Sequence, residues 1–225
     1  MIPRKNNPPL PGLPRADIHV KICGLTQPDN ARDCARAGAH IIGLVFHPPS
    51  PRHVETDQAR AIVRALPEST LSYGVFVDRE FDFIMETADT CGLSGVQLHG
   101  NEAPELVNRL RGEGLGVIKA LFASRPPEFH QAGAYENAHG LLVECGRGKL
   151  PGGNARTWDY QLSPESVDRS RLILAGGLTP DTVARAVAQA RPAAVDLSSG
   201  VESAHGIKDM SKVKALMAAL AIQKP

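Results

Sequence analysis

From residue 19 onward, short apolar runs rich in β-branched residues alternate with segments of helical spacing. The runs are His19–Cys23, His40–Phe46, Leu71–Asp78, Gly95–His99, Gly116–Phe122, Gly140–Glu144, Arg171–Ala175 and Ala194–Leu197. Several, such as IIGLVF and RLILA, are apolar almost throughout, as parallel strands covered on both faces must be. Among the intervening segments, Asp57–Leu66 and Pro104–Arg111 have helical spacing, and those holding Cys34 and Cys91 also read as helical. Pro180–Arg191 opens on a proline after Thr179, a suitable N-cap. In Lys208–Ala221, the positions Val213, Leu216, Met217 and Leu220 mark one buried stripe. Pro127–Asn137 holds few apolar residues and is the weakest of the expected helices, with a single turn as the alternative.

Eight such units leave roughly 25 residues apiece, short but sufficient for a closed barrel. The predicted class is α/β, a (β/α)8 TIM barrel, with an open doubly wound sheet as the structural competitor. No linker divides the chain, so one domain is expected over residues 18–223. Residues 1–17 are proline-rich and basic, and read as a short flexible, disordered extension. They lack the apolar stretch of a secretory signal, and no later segment approaches the roughly 20 apolar residues that span a bilayer.

Charge and cysteine content narrow the classes further. With 25 basic against 24 acidic residues, the net charge of +1 gives no electrostatic reason to expect nucleic acid or a membrane surface as partner. The four cysteines, Cys23, Cys34, Cys91 and Cys145, form no CxxC pair and no zinc spacing with histidine. They read as reduced thiols of a cytoplasmic protein.

In such a barrel the active site is built from the C-terminal ends of the strands and the loops that follow. Those positions hold Cys23 and Gly24, Phe46 to Arg52, Asp78, His99 and Gly100, Lys119, Glu144, Gly176 and Gly177, and Asp196 to Gly200. Two glycine turns, AGGLTP and DLSSGVE, follow the seventh and eighth runs. Glycines let backbone N–H groups approach an anion, so Gly176, Gly177, Ser199 and Gly200 form a candidate phosphate site; two plain turns are the alternative. The turn after the third run, VFVDRE, has no such pair, which favours one phosphate over two.

Four side chains carry candidate chemistry. Cys23, at the end of VKIC, is either a small buried hydrophobe or a thiol that acts as a base. Glu144 ends LLVE, where an apolar setting would favour the protonated form a general acid needs; a surface ion-pair partner is the other reading. Arg52, after HPPSP, has the planar fork that suits a substrate carboxylate, or is an ordinary exposed arginine. His99 either contacts substrate or packs at the rim.

The motifs VKICGLT, GLVFHPPSPRHV, GVFVD, VQLHG, VIKA, LAGGLTPDTV and VDLSSGVE followed by GIKD, in that order, resemble the phosphoribosylanthranilate isomerase family over roughly residues 18 to 220. The resemblance implies an Amadori rearrangement in tryptophan biosynthesis without metal or organic cofactor, on a small-molecule substrate, by a monomer or homodimer. It implies that Cys23 is the base, Glu144 stands where the family has an acidic aspartate, Arg52 holds the anthranilate carboxylate, and Asp196 contacts substrate. Two departures stand out. Glutamate extends the acid by about 1.5 Å, a misplacement of the kind that can cost about 100-fold in rate. The family's GGTG reads GGNA here, Gly152 to Ala155. These departures motivate a second reading, a catalytically weak paralogue that only binds an aryl or sugar-phosphate ligand. A third, another ribosyl-phosphate isomerase with two phosphate sites, is opposed by Cys23 and the missing second glycine turn.

Overall fold

Each of the eight apolar runs forms a strand: β1 (His19–Cys23), β2 (Ile41–Val45), β3 (Leu71–Phe76), β4 (Gly95–Leu98), β5 (Gly116–Phe122), β6 (Gly140–Glu144), β7 (Leu172–Leu174) and β8 (Ala194–Leu197). Every strand is parallel to the next, and β8 pairs with β1, so the sheet closes on itself and the open-sheet competitor is excluded. The structure is a computed structural model that describes residues 18–146, 160 and 167–221. The expected 1–17 extension and residues 222 and 223 lie outside the described residues.

The helices are α1 (Pro28–Arg36), α2 (Thr56–Ala65), α3 (Phe81–Cys91), α4 (Pro104–Gly112), α5 (Val183–Ala190) and α6 (Met210–Ala221). The apolar-poor stretch between β5 and β6 contains the 3-10 helix Phe129–Tyr135. Helix α5 starts later than the Thr179–Pro180 signal suggests. The Thr182 hydroxyl accepts the Thr179 N–H at 3.0 Å, so residues 179 to 182 close a turn of their own first. After β8 comes an antiparallel hairpin, β9 (Glu202–Ala204) and β10 (Ile207–Lys208). It takes Lys208 out of the expected last helix, which begins behind Asp209, whose carboxylate accepts the Ser211 N–H at 2.8 Å.

Period-two alternation splits the strands between two cores. Val20, Ile22, Val96, Leu98, Val143 and Val195 pack outward against the helices. Ile41, Tyr73, Ile118, Phe122, Leu142 and Ala194 belong to a separate cluster that fills the barrel. Each fully buried aliphatic side chain stabilises by roughly 1.5–3 kcal/mol, which makes these cores the main source of stability. The same parity sorts the polar residues. Lys21 and Cys23, Gln97 and His99, Glu144, and Asp196 all fall on the inner face. Lys119, flanked by inward Ile118 and Ala120, falls on the outer one and is not a side chain of the barrel interior.

Candidate active site

The inward residues at the strand ends form two polar groups, one around β1 and β8, the other around β4 and β6. In the first, Lys21 Nζ lies 3.0 Å from Asp196 Oδ1, and both are nearly withdrawn from water. The two are register partners on adjacent strands, which makes the contact a product of the sheet itself. Burial pulls the Lys21 ammonium down, but Asp196 and Cys23 together more than offset it and hold it above its ordinary range. Cys23 follows two residues later on the same face, beside Gly43 in register. A β-carbon at Gly43 would stand 2.7 Å from Cys23 Sγ and 2.9 Å from Lys21 Nζ; only glycine leaves room for both groups. Burial pushes the Cys23 thiol up, while Lys21 and Lys208 pull it back.

The β9–β10 hairpin completes this half of the site. Glu202 accepts Arg52 Nε at 2.8 Å and Arg52 Nη2 at 2.7 Å, and Lys208 Nζ at 2.8 Å. Burial raises the Glu202 carboxyl, but the two cations more than offset it and hold it at about 2. Arg52 is therefore neither exposed nor free: its fork is clamped by Glu202, and its stem crosses Gly24 next to Cys23. Lys208 Nζ also donates to the Ser198 carbonyl at 3.2 Å, and the Ser198 hydroxyl donates to the Cys23 carbonyl at 3.0 Å.

In the second group, Glu144 is 7% exposed, which removes the surface ion-pair reading. Its Oε1 lies 3.4 Å from His99 Nε2. The His99 ring meets Phe122 edge to face, and Gln97 Nε2 lies 2.8 Å from His99 Nδ1. Arg125 stacks over Phe122, and burial lowers its guanidinium while Glu144, Asp78 and Glu102 pull it back up. Asp196 connects the groups, since it is paired with Lys21 and within electrostatic reach of His99 and Glu144. Behind the sheet, Lys119 donates to Glu102 Oε2 and to the Gly100 carbonyl, each at 2.8 Å, so it shapes the loop after β4 from outside.

The two late glycine turns meet. Gly176 and Gly177 adopt left-handed φ values of 89° and 69°, and a β-carbon at Gly200 would overlap the Leu178 carbonyl oxygen. The Tyr160 hydroxyl donates to the Gly176 carbonyl at 2.8 Å and braces the turn. Ser199–Val201 forms one 3-10 turn directly after β8. Among the described residues, no group of three or more His, Cys, Asp or Glu side chains is arranged to hold a metal ion. Gly152 to Ala155, the altered loop motif, lies outside the described residues.

The structure thus brings Cys23, Arg52, Asp196 and the glycine turns together on one side of the mouth, and His99 with Glu144 on the other. Lys21, Gln97, Glu202 and Lys208 were not singled out from sequence as site residues. Strand parity could have found Lys21 and Gln97, because a polar residue two positions before an inward one shares its face. Glu202 and Lys208 lie in the motifs VDLSSGVE and GIKD, but no apolar alternation there signals that their side chains turn back onto the site.

Comparison with known proteins gives a consistent result. The family model described as N-(5'phosphoribosyl)anthranilate (PRA) isomerase matches residues 20–219. The chain is 50% identical over 198 residues to the N-(5'-phosphoribosyl)anthranilate isomerase of Desulfatibacillum aliphaticivorans, covering 88% of this chain and 90% of that one. The crystal structure of phosphoribosyl anthranilate isomerase from Thermotoga maritima superposes with a TM-score of 0.82 at 35% identity, over 91% of this chain and 99% of that one. A structure of phosphoribosyl anthranilate isomerase in complex with reduced 1-(o-carboxyphenylamino)-1-deoxyribulose 5-phosphate superposes with a TM-score of 0.79 at 34% identity, over 91% and 99% of the two chains.

Proposed function

The chain belongs to the N-(5'-phosphoribosyl)anthranilate isomerase family, and from that premise we propose that Cys23 and Glu144 are the base and acid of its reaction. The reaction converts N-(5-phosphoribosyl)anthranilate to 1-(2-carboxyphenylamino)-1-deoxyribulose 5-phosphate, a step of tryptophan biosynthesis. Glu144 gives a proton to the ribose ring oxygen as the C1′–O bond breaks, and the anthranilate nitrogen supplies the electron pair that makes a Schiff base. The Cys23 thiolate removes the proton from C2′, and the C2′–H electron pair forms the enolamine. Proton return to C1′ and loss of the C2′ hydroxyl proton give the ketose, with no net gain or loss of electrons.

The observation that carries this reading is one inner face bearing a carboxyl and a thiol at the C-terminal ends of β6 and β1, with Asp196 electrostatically coupled to both groups. The phosphate sits against the backbone of Gly176, Gly177, Ser199 and Gly200. Arg52 keeps N–H donors beyond the two that Glu202 takes, and these meet the anthranilate carboxylate; Glu202 sets the plane of the fork. His99 and Asp196 border the substrate between the two halves. Residues 18–223 act as one isomerase domain in the cytoplasm, as a monomer or homodimer; the four cysteines carry no disulfide, consistent with a reducing compartment. Among the described residues no helix is long and apolar enough to cross a membrane.

The test is substitution at the acid. Glu144→Gln keeps the shape and removes the proton, and is expected to lower kcat by about 100-fold or more. Glu144→Asp is expected to lower kcat more than it changes KM, because this mouth is built around the longer side chain. Full activity of Glu144→Gln overturns the acid assignment.

A further inference from the structure

Gln97 is 1% exposed, lies inside the barrel on β4 and touches no reacting group assigned above. Its amide nitrogen is 2.8 Å from His99 Nδ1. A neutral imidazole carries one N–H and one acceptor lone pair, so a donor at Nδ1 forces the hydrogen onto Nε2. That Nε2 is buried, makes no hydrogen bond of its own, and faces Glu144 Oε1 at 3.4 Å. Such contacts are often long before substrate is bound and tighten with it. The Gln97 amide therefore donates to His99, and the His99 Nε2 hydrogen is left directed toward Glu144.

We propose that Gln97 is a positioning residue which fixes the His99 tautomer, occupies Glu144 Oε1 through His99, and leaves Oε2 as the oxygen that delivers the proton. This rests on Glu144 being the acid. The cost is visible: Gln97 Oε1 is buried without a hydrogen-bond partner among the described residues. Turning the amide over would exchange one unpaired oxygen for an unpaired NH2, and unpaired buried donors are the rarer and costlier case. Gln97 thus keeps an unsatisfied atom in the core, which mere filling of space does not require. Among the described residues, Asp196 from β8, Arg125 from the segment after β5 and His47 from the loop after β2 lie in electrostatic reach of the pair, and Arg125 Nη2 also donates to the His99 carbonyl at 3.3 Å. Among the described residues the hydrogen-bond partner of Nδ1 is the Gln97 amide, so the tautomer is set by Gln97.

The experiment labels histidine with 15N in the full-length enzyme and reads the His99 ring nitrogens directly. Wild type is expected to show hydrogen on Nε2 alone, and Gln97→Leu a mixture of tautomers or the Nδ1–H form. The same variant is expected to lose about tenfold in kcat, with KM within about twofold, while its thermal stability is kept because the unpaired oxygen is gone. Gln97→Glu keeps the shape but offers an acceptor to Nδ1, so it is expected to reverse the tautomer and fall below Gln97→Leu in kcat. In a His99→Gln background, where there is no tautomer to choose, adding Gln97→Leu is expected to change kcat little. Wild-type His99 with its hydrogen on Nδ1, an unchanged tautomer in Gln97→Leu, or additive effects in the double variant would each overturn the proposal. Failure of the acid assignment looks different: Glu144→Gln stays active while the wild-type tautomer is as stated.

Discussion

Cys23 sits where burial and charge act in opposite directions. Burial holds the thiol above its ordinary value of 9.0, and the Lys21 and Lys208 ammonium groups draw it part of the way back. The thiolate, the form that works as a base, is then a minority species at neutral pH and grows as pH rises. Alkylation of Cys23 by iodoacetamide, mapped by mass spectrometry against Cys23→Ala, is expected to quicken by about tenfold per unit between about pH 7 and about pH 9. Lys21→Met should move the profile to higher pH. A rate that levels off near neutrality would mean that the two lysines dominate over burial. The places of Cys23 and Glu144 at the barrel mouth were legible in the sequence because each ends an apolar run; a cysteine there could equally be a small buried hydrophobe, and only the motif VKICGLT spoke for a thiol with a role. Arg52 was legible as a residue but not in its surroundings. Its clamp, Glu202, lies 150 positions away and reaches it only through the barrel's closure.

At the scale of elements, β5 enters the sheet under the control of a histidine. The Val117 N–H donates to His139 Nδ1 at 3.1 Å, which requires that nitrogen to be unprotonated. Burial, reinforced by Arg111 and Arg171, lowers the His139 imidazole from 6.5 to about 4. Between those values the unfolded chain binds a proton that the folded one refuses, so stability is complete above the upper value and falls as pH drops through the window. Urea unfolding is expected to show this loss, and His139→Gln to make the slope shallower by up to one proton. An unchanged slope would place the acid sensitivity elsewhere. Strand positions could be read from sequence because burial on both faces demands continuous apolar runs. The β9–β10 hairpin could not, because it is held by inward-turned charges and not by an apolar alternation. The start of α5 was misjudged for a related reason: a proline after a threonine also opens the turn that precedes the helix.

Across the whole molecule, closure of β8 onto β1 is what makes a site out of distant residues. It joins Lys21 to Asp196 and brings Ser198 to Cys23, while the β7–β8 pairing beside it seats Gly200 against Leu178. Periodicity alone left a closed barrel and an open sheet in competition, since both are written in the same alternation. The family motifs tipped the balance, and the β8–β1 pairing decides it. Loss of function from the longer acid and the GGNA loop was the other reading; the chain belongs to the isomerase family, and Glu144 reaches the inner face with its Oε1 3.4 Å from His99. In the proposed mechanism this mouth turns over phosphoribosylanthranilate with the Cys23 thiol as base. The most direct measurement follows the fluorescence of freshly made phosphoribosylanthranilate with wild-type enzyme and with Cys23→Ala. Consumption by wild type and near-complete loss in the variant are expected; an inert wild type, or a Cys23→Ala enzyme as fast as its parent, would overturn the proposed base.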